Sequence, residues 1–214
     1  MNRVNTRRLF QVLLREMGPQ GWWPAKTKPE IVLGAILVQN TNWRNAEKAL
    51  KNLNERTKFS PKKIKALQIE ELELLIRPSG FYRNKAQTIQ ALFQWFELHD
   101  WNYEKISNTY EENLRQILLQ IKGVGFETAD VLLVYIFDRS EFIADAYARR
   151  LFSWLQQEEY QSYKELYEVI DLANLFTSSE AKEFHGLIDE FGKIYLSSSK
   201  KVKPNFLDRE DLLS

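Results

Sequence analysis

The stretch LLQIKGVGFETADVLLVYIF (118–137) decides how this chain folds. An apolar helix ends near Gln120. Gly123-Val124-Gly125 then makes a tight turn, and a second helix starts near Glu127. Two glycines permit positive φ and close backbone approach. The helix that follows turns its first N–H groups outward, which suits a phosphate. Helix, glycine turn and helix together predict a grip on a nucleic-acid backbone that reads no sequence. Taken alone, the turn also fits an ordinary helix–turn–helix joint with a glycine C-cap. The run VLLVYIF (131–137) suits a buried strand or a buried helix, and the absence of a neighbouring hairpin turn favours the helix.

Outward from there the pattern is helical nearly throughout. Lys28-Pro29-Glu30 opens a helix with Pro in its first turn, and IVLGAILVQN follows. Ser60-Pro61 repeats the device before KKIKALQIEELELLI, whose periodicity breaks near Gln68–Glu71. Further helices are expected over about Lys85–Phe96, Tyr110–Leu119, Tyr147–Leu155, Tyr163–Leu175 and Ala181–Leu196. The tail SSSKKVKPNFLDREDLLS is polar and is expected to be irregular.

Composition narrows the chemistry. The chain has 214 residues, 44% of them apolar, enough for a real core. It has no Cys, which removes disulfides, thiol nucleophiles, cysteine-ligated zinc and iron–sulfur clusters. With two His, a dedicated metal site is not expected. No segment approaches the roughly 20 apolar residues of a membrane span, and the N-terminal stretch does not read as a signal peptide. A soluble, cytoplasmic and nucleoid-associated protein is expected. The net charge of +1 hides an asymmetry: residues 1–90 hold 17 Lys/Arg against 7 Asp/Glu, and residues 91–214 hold 13 against 22. A basic half can lie along a polyanion, although two oppositely charged faces that attract each other fit the counts as well.

The hairpin IKGVGFETA (121–129), followed by IADAYARR (143–150), resembles the helix-hairpin-helix DNA glycosylases related to endonuclease III, in which the pattern LPGVGxKTA precedes VDTHVxR. Asp145 falls at the spacing of the family's catalytic Asp, and Arg150 matches its Arg five residues later. Upstream, IVLGAILVQNT (31–41) resembles the helix whose Gln enters the DNA stack, and RPSGFYRNKAQTI (77–89) the segment that supplies a wedge loop and a Lys-Ala helix. FHGLIDEFGK (184–193) resembles the helix leading into the cluster loop. Two departures matter. The amine that forms a Schiff base in bifunctional members is replaced by Glu127, which cannot form an imine. The four cluster cysteines are absent. This combination is similar to the cluster-free 3-methyladenine glycosylases of the endonuclease III type, in which a WWP stretch and an aromatic after QNT line the base pocket. Here these are Trp22-Trp23-Pro24 and Trp43. The Lys expected after FHG in that branch is Leu187.

The resemblance implies a division of labour. Asp145 would be catalytic, stabilising the positive charge that builds on the sugar as the base leaves, and orienting water; its type and place also suit a helix N-cap. Trp22, Trp23, Pro24, Trp43 and Glu127 would bind the everted base, because indole faces attract a cationic alkylated purine. Gln39 would fill the hole left by flipping, with Phe81 or Tyr82 wedging from the other side, and Asn40 would bind the DNA beside it. Gly123, Val124, Gly125, Thr128 and Arg150 would hold the DNA backbone. His99 and His185 read as structural. No cofactor is implied beyond a Na⁺ or K⁺ held by hairpin carbonyls near Gly123 and Gly125.

The expected architecture is all-α, in two helical lobes with a cleft between them for duplex DNA holding a damaged base. One lobe would span 25–135 and the other 1–24 with 136–214. The expected activity is hydrolysis of the N-glycosidic bond of alkylated purines without strand cleavage, by a monomer. Rival readings are a monofunctional glycosylase for uracil or mismatches, a catalytically silent DNA-binding protein, and a helical protein–protein scaffold.

Overall fold

The computed structural model describes residues 3–172, 175–196, 204–208 and 212, and helices make up most of them. Its helices are α1 (Thr6–Met17), α2 (Lys28–Leu37), α3 (Trp43–Thr57), α4 (Pro61–Lys65), α5 (Ile69–Ile76), α6 (Tyr82–Leu98), α7 (Tyr103–Tyr110), α8 (Leu114–Leu119) and α9 (Phe126–Tyr135). They continue with α10 (Ala146–Gln156), α11 (Tyr163–Tyr167), α12 (Ser178–Tyr195) and α13 (Asn205–Asp208). The chain divides into two compact units, Ala25–Phe137 and Met1–Pro24 with Asp138–Ser214.

In the unit 25–137, α2 packs on α3, α6 and α9, and α5 on α3 and α6. Thr27 caps α2 by accepting from the Glu30 N–H, and Glu30 in turn accepts from the Lys26 N–H at 2.8 Å. Val32, Leu33, Ile36 and Leu37 from α2 enter a core with Leu53, Phe93, Phe96, Leu132 and Leu133, all with no exposed surface. Burying side chains of this size stabilises by about 1.5–3 kcal/mol each.

The helical reading holds, but its boundaries shift. The helix opened by Ser60-Pro61 stops at Lys65, and Gln68 takes extended backbone before α5 begins. That break lets both Ile64 and Leu67 turn inward, 2% and 5% exposed. The helix expected over 110–119 is confined to α8, which follows the unexpected α7 and a 3-10 turn at Glu111–Asn113. α7 carried a weak apolar pattern, yet Asn102 caps it by accepting from the Lys105 N–H at 2.9 Å.

The glycine turn joins α8 to α9. Gly123 has φ +83°, and a Cβ there would stand 1.8 Å from Oγ1 of Thr88 on α6, so both conformation and space demand glycine. Gly125 is different: at φ −92° and ψ −179° it is ordinary extended backbone, so of the two glycines only Gly123 uses a positive φ. Across the turn Arg115 grips the fully buried Asp130 with two hydrogen bonds, of 2.6 and 2.9 Å. A bidentate pair of this kind fixes geometry as well as charge, and it holds α8 and α9 in one register.

The other unit is built on α12, which packs against α10 and α1. Thr177 and Glu180 form a capping box at its start. Arg7 of α1 reaches Glu180 at 2.6 Å and lies over the rings of Phe10 and Phe176. The helix expected over 163–175 is cut short, with α11 ending at Tyr167. Beyond it Leu172 and Phe176, 3% and 6% exposed, are in the core, and the Phe176 N–H donates to the Leu172 carbonyl at 2.9 Å. β-branched Val169 and Ile170 weaken helix here. The tail is not wholly irregular: α13 forms, and Leu207 and Leu212 are buried at 3% and 4%. The Leu212 carbonyl accepts from the Asn5 N–H at 2.8 Å. The rest of the tail lies outside the described residues.

Candidate active site

Asp145 ends a buried approach formed by Phe142, Ile143 and Ala144 and stands as the N-cap of α10. One carboxylate oxygen accepts from the Ala148 N–H at 2.7 Å. The other, Oδ2, faces Nε2 of His185 on α12 at 3.7 Å, with the side chains 14% and 9% exposed. The carboxylate is therefore held by the helix it caps yet not sealed off. The capping role and a chemical role are compatible here, since capping uses one oxygen.

α12 turns one face toward this acid. His185, Asp189 and Lys193 recur at four-residue spacing, so they line up along the helix. Lys193 Nζ lies 2.5 Å from Asp189 and 2.7 Å from Glu190. Burial pushes the Asp189 carboxyl above the usual carboxylate range, against the pull of Lys193 and His185. Burial draws the Lys193 ammonium down, but its bonds to Asp189 and Glu190 outweigh that and leave it raised.

Trp22 and Trp23 join the same cluster. Their rings meet edge to face, with centroids 5.3 Å apart. Trp22 lies 5.6 Å from the His185 ring at 84°, and Trp23 stacks with it at 6.4 Å and 23°. Lys193 Nζ stands 5.0 Å from the Trp22 ring centroid, a cation–π contact. Both indoles are half-buried, whereas Pro24 is exposed. The segment before them is pinned by Glu183 of α12, which accepts from the Gln20 N–H and, at 3.1 Å, from the Gly21 N–H. Gly192 makes room for Tyr147, whose Cδ1 would lie 2.2 Å from a Cβ there. Arg150, exposed, sits over the Tyr147 ring. From sequence His185 has a structural place, and Glu183 is not singled out. The 185–189–193 spacing was the available signal for His185, and nothing flagged Glu183.

The remaining expected residues belong to the unit 25–137. Gln39 donates to Oγ1 of Thr128 at 2.6 Å. Asn40, exposed, follows it in left-handed backbone at φ 51°. Phe81 is 67% exposed and also left-handed, while Tyr82 packs against the core. Val124 and Thr128 are buried, 5% and 4% exposed, so they can offer a ligand main-chain groups rather than side chains. The first in-helix bond of α9 runs from the Ala129 N–H to the Gly125 carbonyl, and the N–H groups of 126–128 precede it. Glu127 is exposed and Trp43 half-buried against the core. Lys85, 3% exposed, donates to the carbonyls of Leu37 at 2.9 Å and Ser79 at 2.7 Å, and so ties the end of α2 to the turn before Phe81. Burial pulls its ammonium down to about 8. Among the described residues no group of three or more His, Asp and Glu could share a metal ion, and no helix is long and apolar enough to cross a membrane.

The family profile of the HhH-GPD superfamily base excision DNA repair proteins matches residues 33–173. A provisionally named DNA repair glycosylase of Methanocaldococcus jannaschii is 40% identical over 193 residues, 87% of this chain and 86% of that one. The crystal structure of H. pylori 3-methyladenine DNA glycosylase bound to 1,N6-ethenoadenine is 29% identical. It matches 89% of this chain and 98% of its own length at a TM-score of 0.71. A non-covalent endonuclease III–DNA complex, 23% identical, shares the fold at a TM-score of 0.74, over 94% of this chain and 92% of that one. The chain therefore belongs to the HhH-GPD superfamily of base excision DNA repair proteins, as one of its DNA glycosylases.

Proposed function

We propose that this glycosylase binds duplex DNA and hydrolyses the N-glycosidic bond of alkylated purines of the 3-methyladenine type, leaving the strand uncut. The observation that carries the reading is the cluster of one carboxylate, Asp145, with two half-buried indoles, Trp22 and Trp23, around His185. Alkylation at a ring nitrogen makes a purine cationic and a good leaving group, so electrostatic stabilisation of the sugar matters more than a strong general acid. A carboxylate supplies that stabilisation. Indole faces favour a cationic base over a neutral one by up to about 2 kcal/mol when desolvated.

The proposal that the strand stays uncut rests on the family resemblance, which sets Glu127 where bifunctional members carry the Schiff-base amine. The roles of Trp43 and Glu127 in base binding rest on the resemblance alone. Phe81, exposed in left-handed backbone, is the proposed wedge. Gln39 is the proposed hole-filler, and inserting it costs its bond to Thr128. The N–H groups at the start of α9, with Gly123, Gly125 and Arg150, are proposed to hold phosphates.

The test is incubation with methylated duplex DNA, followed by chromatography of released bases and a separate alkali-free gel. Free 3-methyladenine without nicks is expected, and borohydride traps no protein–DNA adduct. Release of uracil or mismatched thymine in preference to methylated purines would replace the proposed substrate. Nicks or a trapped adduct would end the monofunctional reading.

A further inference from the structure

Among the described residues, His185 faces the open oxygen of Asp145, and Asp189, one turn further along α12, feels the same charge. Oδ1 is fixed by the Ala148 N–H, but an N-cap bond holds a single oxygen and leaves the plane of the carboxylate to be set by what meets Oδ2. What meets it is His185 Nε2, at 3.7 Å. That distance is too long for a hydrogen bond. Catalytic contacts in unliganded enzymes are often long and tighten in the complex. The ring is held for such closure: Trp23 stacks on it, Trp22 meets it edge on, and Gly186, the next residue, lets Trp22 lie against the helix. Along α12 the polar groups run on from the acid in the order Asp145, His185, Asp189, Lys193.

We propose that His185 is a positioning residue for Asp145: its Nε2–H closes onto Oδ2 when damaged DNA is bound and fixes the carboxylate plane against the sugar. The inference rests on the catalytic reading of Asp145. The competing account is that the imidazole is only a flat filler between two indoles.

Two substitutions separate these accounts. His185→Gln keeps an N–H donor of similar reach and loses the ring. His185→Phe keeps the ring and loses the donor, and His185→Met repeats the loss with a flexible chain in case Phe does not fold. In single-turnover base release from methylated duplex, Phe and Met lower the rate roughly 10- to 100-fold, the size expected for one lost hydrogen bond to a charged group. DNA affinity stays unchanged, and Gln retains the rate within about threefold. The reverse ranking, with Phe active and Gln impaired, overturns the proposal in favour of packing. Asp145→Asn is run beside them. If it cleaves like wild type, the catalytic reading of Asp145 itself fails; if it is inactive while Phe is fully active, only the His185 inference fails. The same proteins are titrated with a duplex carrying a cationic pyrrolidine at an abasic position. Affinity is expected to drop for Asp145→Asn and His185→Phe and to hold for Gln. Equal affinity of wild type and His185→Phe overturns the inference even where no methylated base is released.

Discussion

Gly186 lies directly against Trp22: a Cβ built on the glycine would stand 2.7 Å from the Trp22 Cβ and 2.9 Å from its Cγ. The Trp22 Cβ is fixed to the backbone and cannot swing away, so an alanine moves the whole residue. Alanine gains about 1 kcal/mol of helix propensity over glycine, while overpacking costs about 1–3 kcal/mol. Gly186→Ala is expected to lose up to about 2 kcal/mol of stability in thermal or urea unfolding. Base release from methylated DNA should fall about tenfold or more as Trp22 shifts. A variant with undiminished release would remove Trp22 from the base pocket.

Asp145 both caps α10 and is the proposed acid, and the two roles separate by substitution. Asn is as good an N-cap as Asp. Asp145→Asn should therefore unfold within about 0.5 kcal/mol of wild type and still lose about 100-fold or more in single-turnover base release. Asp145→Ala should lose the same activity and, in addition, about 1 kcal/mol of stability from the missing cap.

Lys85 makes stability rise with pH in an alkaline window. Burial lowers its ammonium from 10.5 to about 8, so between those values the unfolded chain holds a proton that the native chain has released. Stability must increase where the unfolded state binds more protons. Below pH 8 both states are protonated and the penalty is present in full. Lys85→Met removes the rise, which is read as the difference between the two urea-unfolding profiles from pH 7 to 10. Tyr103, pushed up to about 12 by burial, acts oppositely above pH 10, where the unfolded chain loses a proton that the native chain keeps.

Glu180 works at the acid end. Its hydrogen bond from Arg7, together with the Thr177 N–H, holds the carboxyl down at about 2. This stabilisation is present above pH 4.5 and is lost as pH falls toward 2. Glu180→Gln should cost about 1 kcal/mol at neutral pH, the scale of a cap with an exposed ion pair. The variant should also unfold with a flatter acid limb than wild type, as followed by circular dichroism.

The elements that could be read from sequence are those fixed by local chemistry. Thr27 and Pro29 mark the start of α2, and Gly123 is required by both its φ and its contact with Thr88. The capping box Thr177-Ser178-Ser179-Glu180 was also legible as the start of α12, three residues ahead of the expected helix. Where tertiary contacts decide, the pattern misleads. Leu172 and Phe176 keep helical spacing and are buried although α11 ends at Tyr167, and Leu207 and Leu212 look like a polar tail yet are buried. The candidate site divides in the same way. Asp145 and the Trp22-Trp23 pair stand out through the family resemblance, whereas a lone His looks alike in a core and beside an acid. Only the 3.7 Å approach to Asp145 distinguishes His185.

The unit that carries Asp145 is assembled from two stretches, Met1–Pro24 and Asp138–Ser214, on either side of the continuous unit Ala25–Phe137. Ribosomal synthesis therefore delivers the glycine hairpin, Gln39 and Phe81 before any of the acid-bearing half beyond α1 and the tryptophan pair exists. A nascent chain can fold that segment first, since domains form as units in the order they emerge. It does so without the group proposed to break a glycosidic bond, so a half-made molecule that meets DNA carries no means of creating an abasic site.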